Sequence, residues 1–197
     1  MSNTPARLNL TVYQGSTLTE VLRWESSTKS YAVITGISKT APVVITAPGH
    51  GIPSEWRVKL SNIGGMVELN TGDEYHQVSD VTTNTFTINS VNSSGYKLYT
   101  TGGVVEFNTP INLTGYTARM QIRESINNPV VVHELTTANG GITFNTTNYS
   151  ITLNIPASVT TGFSFMSAIY SLEVVSSGGL VSTLIVGNVG LVKEVTR

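Results

Sequence analysis

Cysteine is absent from this 197-residue chain, which excludes disulfides, thiolate metal sites and cysteine nucleophiles. Charge is scarce: Asp, Glu, Lys and Arg make up 12% of the residues, about half the share usual for a soluble domain. Net charge is −1, without the basic stripe that phosphate neutralisation requires, so nucleic acid is not an expected partner. No apolar run approaches the roughly 20 residues of a membrane-spanning helix, and membrane insertion is not expected. The opening Met1-Ser-Asn-Thr-Pro5 lacks the basic and apolar regions of a secretory signal, so a product made in the cytoplasm without a signal peptide is expected. Histidine occurs only at 50, 76 and 133. A metal centre needs three or four converging ligands with supporting hydrogen bonds, and no such spacing occurs.

In place of charge the chain carries Ser and Thr, at roughly a quarter of its length. Thr suits exposed strand faces, and such a surface desolvates more cheaply than one of Lys and Glu. Hydrophobic residues, at 40%, are enough to drive folding. They alternate at period two, with no helical stripe. In Thr117 to Arg123, Ala118, Met120 and Ile122 alternate with Thr117, Arg119, Gln121 and Arg123. Tyr149, Ile151, Leu153 and Ile155 form a second set, and Ala168, Tyr170, Leu172 and Val174 a third. Leu8, Leu10 and Val12 alternate near the start, as do Leu18, Leu22 and Trp24 around Glu20. Turn signals at Gln14-Gly-Ser16, Asn139-Gly-Gly141 and Ser177-Gly-Gly179 fall where hairpins need them. Pro156 to Thr161 has the makings of one helical turn crossing between sheets. Short strands at this spacing predict an all-β, Ig-like antiparallel β-sandwich.

The stretch from Tyr31 to Gly103 differs, with dense Gly/Pro loops such as Ala47-Pro-Gly-His-Gly-Ile-Pro53. Its strands are Val43 to Thr46, Trp56 to Leu60, Tyr75 to Val78 and Thr85 to Asn89. Removing it leaves a continuous remainder, from the Trp24 strand to Asn112-Leu-Thr-Gly-Tyr116. A structureless loop this long is implausible, so the segment is expected to fold as a small β-barrel. The predicted organisation is a discontinuous sandwich over 1–30 and 104–197, with a barrel of 31–103 inserted in an early hairpin.

Val12-Tyr-Gln-Gly-Ser-Thr-Leu18, the strand ending at Trp24, Ile111-Asn-Leu-Thr-Gly-Tyr-Thr-Ala-Arg-Met-Gln-Ile-Arg123, Leu135 to Ile142 and Ala168-Ile-Tyr-Ser-Leu-Glu-Val174 resemble the N-terminal β-sandwich of phage baseplate upper proteins. The inserted Val43-Val-Ile-Thr-Ala-Pro-Gly-His-Gly-Ile52, Ile63 to Asn70, Tyr75-His-Gln-Val78, Thr83 to Ile88 and Tyr99-Thr-Thr-Gly-Gly103 resemble the small β-barrel module named after the first catalytic cysteine half-domain of ubiquitin-activating enzymes. Phage tail proteins often carry that module. Without cysteine the thioester chemistry in its name is impossible here. The two resemblances together imply a non-enzymatic structural or adaptor subunit of a tailed-phage virion, tail- or baseplate-associated, surrounded by other phage structural proteins and copies of itself. Capsid decoration or a head-fibre base is the alternative within that class, and a host-glycan-binding module the alternative outside it.

The residues that could carry chemistry have simpler explanations. His50 sits in a Pro/Gly loop, where a turn-stabilising hydrogen bond is expected; His76 lies on a short strand, and His133 is expected at the sandwich surface. Glu68, Asp73, Glu74 and Asp80 form the densest acidic stretch, yet the spacing supplies neither a Ca²⁺ loop nor a facing carboxylate pair. There is no G-x-S-x-G elbow, and the Gly pairs 64–65, 102–103 and 178–179 lack the strand-before, helix-after setting of a phosphate loop. No catalytic residue, cofactor or metal is therefore expected. Trp56, Tyr96 and Tyr99 are the aromatics with the area and polar tips to anchor a protein or sugar contact.

Overall fold

The structure, a computed structural model, describes residues 4–195. In chain order, the first strands are β1 (Ala6–Arg7), β2 (Leu10–Tyr13) and β3 (Leu18–Arg23). There follow β4 (Glu25–Val33), β5 (Gly36–Ile37), β6 (Val43–Thr46), β7 (Arg57–Gly64), β8 (His76–Gln77), β9 (Thr85–Ile88) and β10 (Thr101–Pro110). The last are β11 (Thr117–Arg123), β12 (His133–Thr136), β13 (Ile142–Asn145), β14 (Ser150–Ile155), β15 (Ser167–Val175) and β16 (Val181–Val192). Among the described residues helix is confined to one turn, α1 (Ala157–Thr160), and a 3-10 turn at Val67–Leu69. The chain divides into two compact units: residues 1–23, 112–146 and 150–197 form the first, 24–111 and 147–149 the second.

The first unit is a two-sheet sandwich. One sheet runs β1, β16, β15, β11, β12, with β2 also on β16; the other runs β13, β14, β3. The inward alternation is as the sequence dictates: Ala118, Met120 and Ile122 on β11 and Ala168, Tyr170, Leu172 and Val174 on β15 are all buried. Each buried aliphatic side chain contributes about 1.5–3 kcal/mol relative to an exposed one. The ladders are antiparallel except at the start of the chain, where β1 and β2 run parallel to β16. The helical turn α1 carries the chain from β14 in one sheet to β15 in the other.

Two of the three turns expected to close hairpins do something else. Gly15, with φ of 79°, turns the chain from β2 to β3, and Asn139-Gly-Gly141 from β12 to β13; in both cases the strands joined belong to different sheets. Only Ser177-Gly-Gly179 joins hydrogen-bonded neighbours, β15 and β16. A tight Gly turn reverses the chain equally well within a sheet or between two, and local sequence does not distinguish them. Tyr149 also departs from expectation. It does not continue the inward row of Ile151, Leu153 and Ile155 but sits in a turn at φ 56°.

The second unit is a small barrel left open between β4 and β5. One sheet runs β4, β10, β7, β8 and the other β5, β6, β9. A Ser79–Thr87 bridge joins the end of β8 to β9, and β5 follows β4 after two residues without pairing with it. Its core holds Ile34, Val43, Ile45, Trp56, Val58, Leu60, Met66, Leu69, Phe86, Ile88, Val105 and Phe107. The unit extends beyond Tyr31 and Gly103. β4 and β10 pair from Val33 and Val104 back to Glu25 and Pro110, and the Ile111 N–H donates to the Trp24 carbonyl at 3.1 Å. The whole of this ladder belongs to the second unit, which occupies the connection from β3 to β11, strands of different sheets.

Candidate functional site

Trp56 has no exposed surface. Its indole N–H donates to the Asn108 carbonyl at 2.9 Å, and the Tyr149 ring meets it edge-on at 6.5 Å. It is the central core residue of the barrel, not a contact residue. Tyr96 and Tyr99 are half-buried against the same core. The Tyr99 hydroxyl reaches the Ile34 and Gly102 carbonyls at 3.2 and 2.9 Å, so its polar tip is occupied in holding a loop.

The three histidines lie in separate settings. His50 is buried, and its Nδ1 accepts from the Ile52 N–H at 2.9 Å, the turn-stabilising bond expected of it. Its Nε2 lies against the Thr82 and Thr85 backbone without reaching hydrogen-bond geometry. Burial pushes its pKa below the usual imidazole value, against a weaker opposing pull from those backbone groups. His76 is buried with Nε2 3.2 Å from the Thr71 hydroxyl. His133, expected at the surface, is half-buried beside Phe163 at 6.0 Å, and burial lowers its pKa too. The acidic residues are exposed and dispersed: Asp73 pairs with Lys59, Glu68 accepts from the Lys97 N–H, and Asp80 accepts from the Ser79 hydroxyl. Among the described residues no three His, Asp or Glu side chains converge as metal ligands would.

What the fold does assemble is an outward face on the barrel sheet. Direct cross-strand partners share a face, so Tyr31, Glu106 and Lys59 form one row and Val33, Val104 and Ser61 the next. Lys29, two residues before Tyr31, lies in the row of Asn108. Tyr75 covers this end. The Arg57 guanidinium stands 4.6 Å from its ring centroid and the Lys59 ammonium 4.8 Å, while Lys29 donates to its hydroxyl at 3.0 Å. Each cation also has a carboxylate: Glu25 accepts from Arg57 in a bidentate pair at 2.6 to 3.1 Å, Glu106 pairs with Lys29 at 3.0 Å and Asp73 with Lys59 at 2.7 Å. The hydrogen bond to Tyr75, and then Glu106, raise the Lys29 pKa above the ordinary lysine value; Lys59 holds the Asp73 carboxyl below the usual range.

Next to this charge-balanced array, Tyr31 and Val33 are 64% and 67% exposed. They lie on β4, an edge strand whose one partner among the described residues is β10. The Ile34 N–H points to Gly103 on β10. By the alternation of an antiparallel ladder, Tyr31 and Val33 turn their N–H and C=O groups to the open edge. Ser26 to Thr28 bulge away from the ladder, and the Thr28 N–H is taken by the Ser26 hydroxyl, so the usable edge is Lys29 to Val33. An aromatic and a β-branched side chain beside open backbone groups, rimmed by paired charges, is the anatomy of a protein interface. Sequence reasoning missed Tyr31, Val33 and Tyr75. The alternation Lys29, Tyr31, Val33 against Ser30 and Ala32 was legible, but it straddled the expected domain boundary.

Residues 42–107 match the family described as the ubiquitin-activating enzyme E1 FCCH domain. The match runs from just before β6 to β10, about a third of the chain, and lies entirely within the barrel unit. No curated protein matches the chain. The inserted module is thus similar to an FCCH domain, carried within an all-β chain that has no cysteine.

Proposed function

We propose that this protein is a non-enzymatic structural or adaptor subunit of a tailed-phage virion, associated with the tail or baseplate. The observation that carries the reading is the combination of an FCCH-like barrel with an outer β-sandwich whose Leu-Thr-Gly-Tyr and Tyr-x-Leu-Glu segments resemble those of baseplate upper proteins. Supporting it, the barrel offers an open strand edge with Tyr31 and Val33 exposed, a surface fit for docking. Low charge favours the same role, because burying Thr and Asn at subunit contacts costs less than burying unpaired Lys or Glu. Its partners are other particle proteins and copies of itself, in a fixed multiple as closed symmetry requires.

Mass spectrometry of purified particles tests this. The chain should be present in constant stoichiometry, and a particle map should place it on the tail. A variant with Tyr31→Asp and Val33→Lys should melt as the parent does and yet fail to incorporate. Presence in lysates but never in particles would sink the reading, and location on the head would favour a decoration or fibre-base role. The glycan-binding alternative rests on Tyr96 and Tyr99, half-buried against the barrel core, and glycan-array binding lost on Tyr96→Ala or Tyr99→Ala would favour it.

A further inference from the structure

The outer face of the larger sandwich sheet carries a cleft of about 430 Å³, and cross-strand register explains its lining. Ile122 and Tyr170 are paired and point inward, so Gln121, Arg123, Ile169 and Ser171 point outward. On the next strand Ser171 opposes Val186 and Ile169 opposes Asn188, and Val186 in turn opposes Arg7. Two arginines therefore bracket the cleft from opposite sides, Arg7 on β1 and Arg123 on β11. Their backbones are three strands apart, roughly 14 Å at about 4.8 Å per strand, and both side chains line the space between.

Arg123 is immobilised without being neutralised. Its Nη1 donates to the Asn128 and Pro129 carbonyls at 3.0 and 2.6 Å and its Nη2 to Gln121 Oε1 at 2.8 Å, all uncharged acceptors. A guanidinium has five N–H donors, so the full charge and further donors remain. Among the described residues neither Arg7 nor Arg123 has a carboxylate partner, whereas Arg119 on the same face is paired with Glu173 at 2.7 Å. A pre-positioned guanidinium loses little freedom on binding and favours planar carboxylates. Beside the polar Gln121, Ser171 and Asn188, the lining carries aliphatic surface from Ile126, which is 84% exposed, Ile169 and Val186. No aromatic face is offered for sugar stacking, since Tyr170 is 4% exposed.

We propose that this cleft binds an extended acidic peptide segment of a partner protein, with carboxylates on Arg7 and Arg123 and aliphatic neighbours on Ile126, Ile169 and Val186. Carboxylates two residues apart in an extended peptide lie on one side about 7 Å from each other, a separation that fits between two arginines whose backbones are roughly 14 Å apart. The adjoining depression is lined by Arg119, Glu134 and Glu173, and Arg119 is paired with Glu173. Among the described residues that leaves Glu134, held by Gln121, as the acid there without a cation, so the two arginines of the cleft are the more favourable site for a carboxylate. The inference stands on the sandwich unit alone and does not depend on the particle reading.

The test uses the full chain labelled with nitrogen-15 and two capped pentapeptides, Ile-Glu-Val-Glu-Ile and its neutral counterpart Ile-Gln-Val-Gln-Ile. The acidic peptide should shift the Arg123 side-chain N–H and the Gly187 and Asn188 amides to saturation, more weakly at high salt, and the neutral one should not. Arg7→Gln should weaken binding roughly tenfold, as loss of a charge-assisted bond implies. Arg7 is the chosen site because its side chain has no ion pair among the described residues and its removal leaves the 128–129 turn intact. Equal response to both peptides, no response, or binding untouched by Arg7→Gln would overturn the proposal. Tighter binding of an oligogalacturonate at the same residues would also overturn it, assigning the cleft to an acidic glycan.

Discussion

The Tyr170 hydroxyl donates to the Leu8 carbonyl at 2.9 Å, fastening the first strands of the chain to a strand 162 residues later. Leu8 also donates its N–H to Val186, and the Asn9 side chain accepts from the Asn188 N–H. The parallel edge formed by β1 and β2 is thus locked by one buried phenol and two flanking bonds. Truncating that phenol should be costly. Tyr170→Ala is expected to lose about 3–5 kcal/mol, as large-to-small core changes do, and Tyr170→Phe about 1 kcal/mol for the hydrogen bond alone. Equilibrium denaturation measures both; a loss below about 1 kcal/mol for Tyr170→Ala would contradict its burial.

The same phenol makes the sandwich sensitive to alkali. Burial, with a smaller effect from the Glu20 charge, pushes its pKa up to about 12 from an ordinary 10.0. Below pH 10 both folded and unfolded chains hold the proton, so the stabilisation is fully present there. Above it the unfolded chain releases the proton first, and stability falls as pH rises towards 12. Tyr170→Phe should flatten that part of the pH–stability curve.

Gly187 lies on β16 one residue past its parallel pairing with β1, and a Cβ there would run into the Leu8 carbonyl oxygen and crowd the Tyr170 ring. Gly187→Ala should therefore release the first strand, at an expected cost of about 1–3 kcal/mol. Hydrogen exchange at the Leu8 N–H should accelerate sharply, while amides of the barrel keep their protection.

Acid should weaken both units through buried imidazoles. The folded pKa values of His50 and His133 are both lowered, chiefly by burial. Above the unfolded value of 6.5 neither state is protonated; as pH falls below it the unfolded chain takes up protons first, and stability declines until the folded pKa is passed. His50→Asn keeps an acceptor near the Ile52 N–H and should remove the barrel's share of this dependence in pH-resolved melting. An unchanged profile would show that His50 is hydrated.

The barrel separates residues that look alike in sequence. Trp56→Ala empties the core and should cost about 3–5 kcal/mol. Tyr75→Ala removes ring contacts with three cations and the hydrogen bond from Lys29, and should cost less than about 1–2 kcal/mol. Chemical denaturation of the two variants side by side decides whether Tyr75 is structural.

Excision marks the unit boundary. Because the Ile111 N–H meets the Trp24 carbonyl, the ends of the second unit lie close together, and a short Gly linker from Arg23 to Asn112 should leave a folded sandwich. Cutting at Tyr31 and Gly103 instead leaves the stubs 24–30 and 104–111, halves of one ladder, and should give the less stable product. Circular dichroism and melting of the two deletions make the comparison.

Much of the fold was legible because burial on a strand follows a strict two-residue period. Ala118, Met120 and Ile122 needed only that rule, as did Trp56, Val58 and Leu60. The boundary was misplaced by seven or eight residues on each side because β4 and β10 are rich in Ser, Thr and Gly and read as linker. The candidate interface escaped for a related reason: Tyr31, Tyr75 and Arg57 are 18 to 44 positions apart, and only strand pairing in the barrel brings them to one face.

Composition and alternation by themselves determined an all-β chain without disulfides or thiol chemistry, and which side of most strands is buried, because those properties depend on residue type and on neighbours two positions away. Which strands pair, that β1 and β2 run parallel to β16, that Gly15 turns between sheets, and that Arg7 and Arg123 share a cleft were decided only by the tertiary structure. Those relationships depend on register between segments up to 180 residues apart, and register is set by the packing of the whole core, which no local pattern encodes.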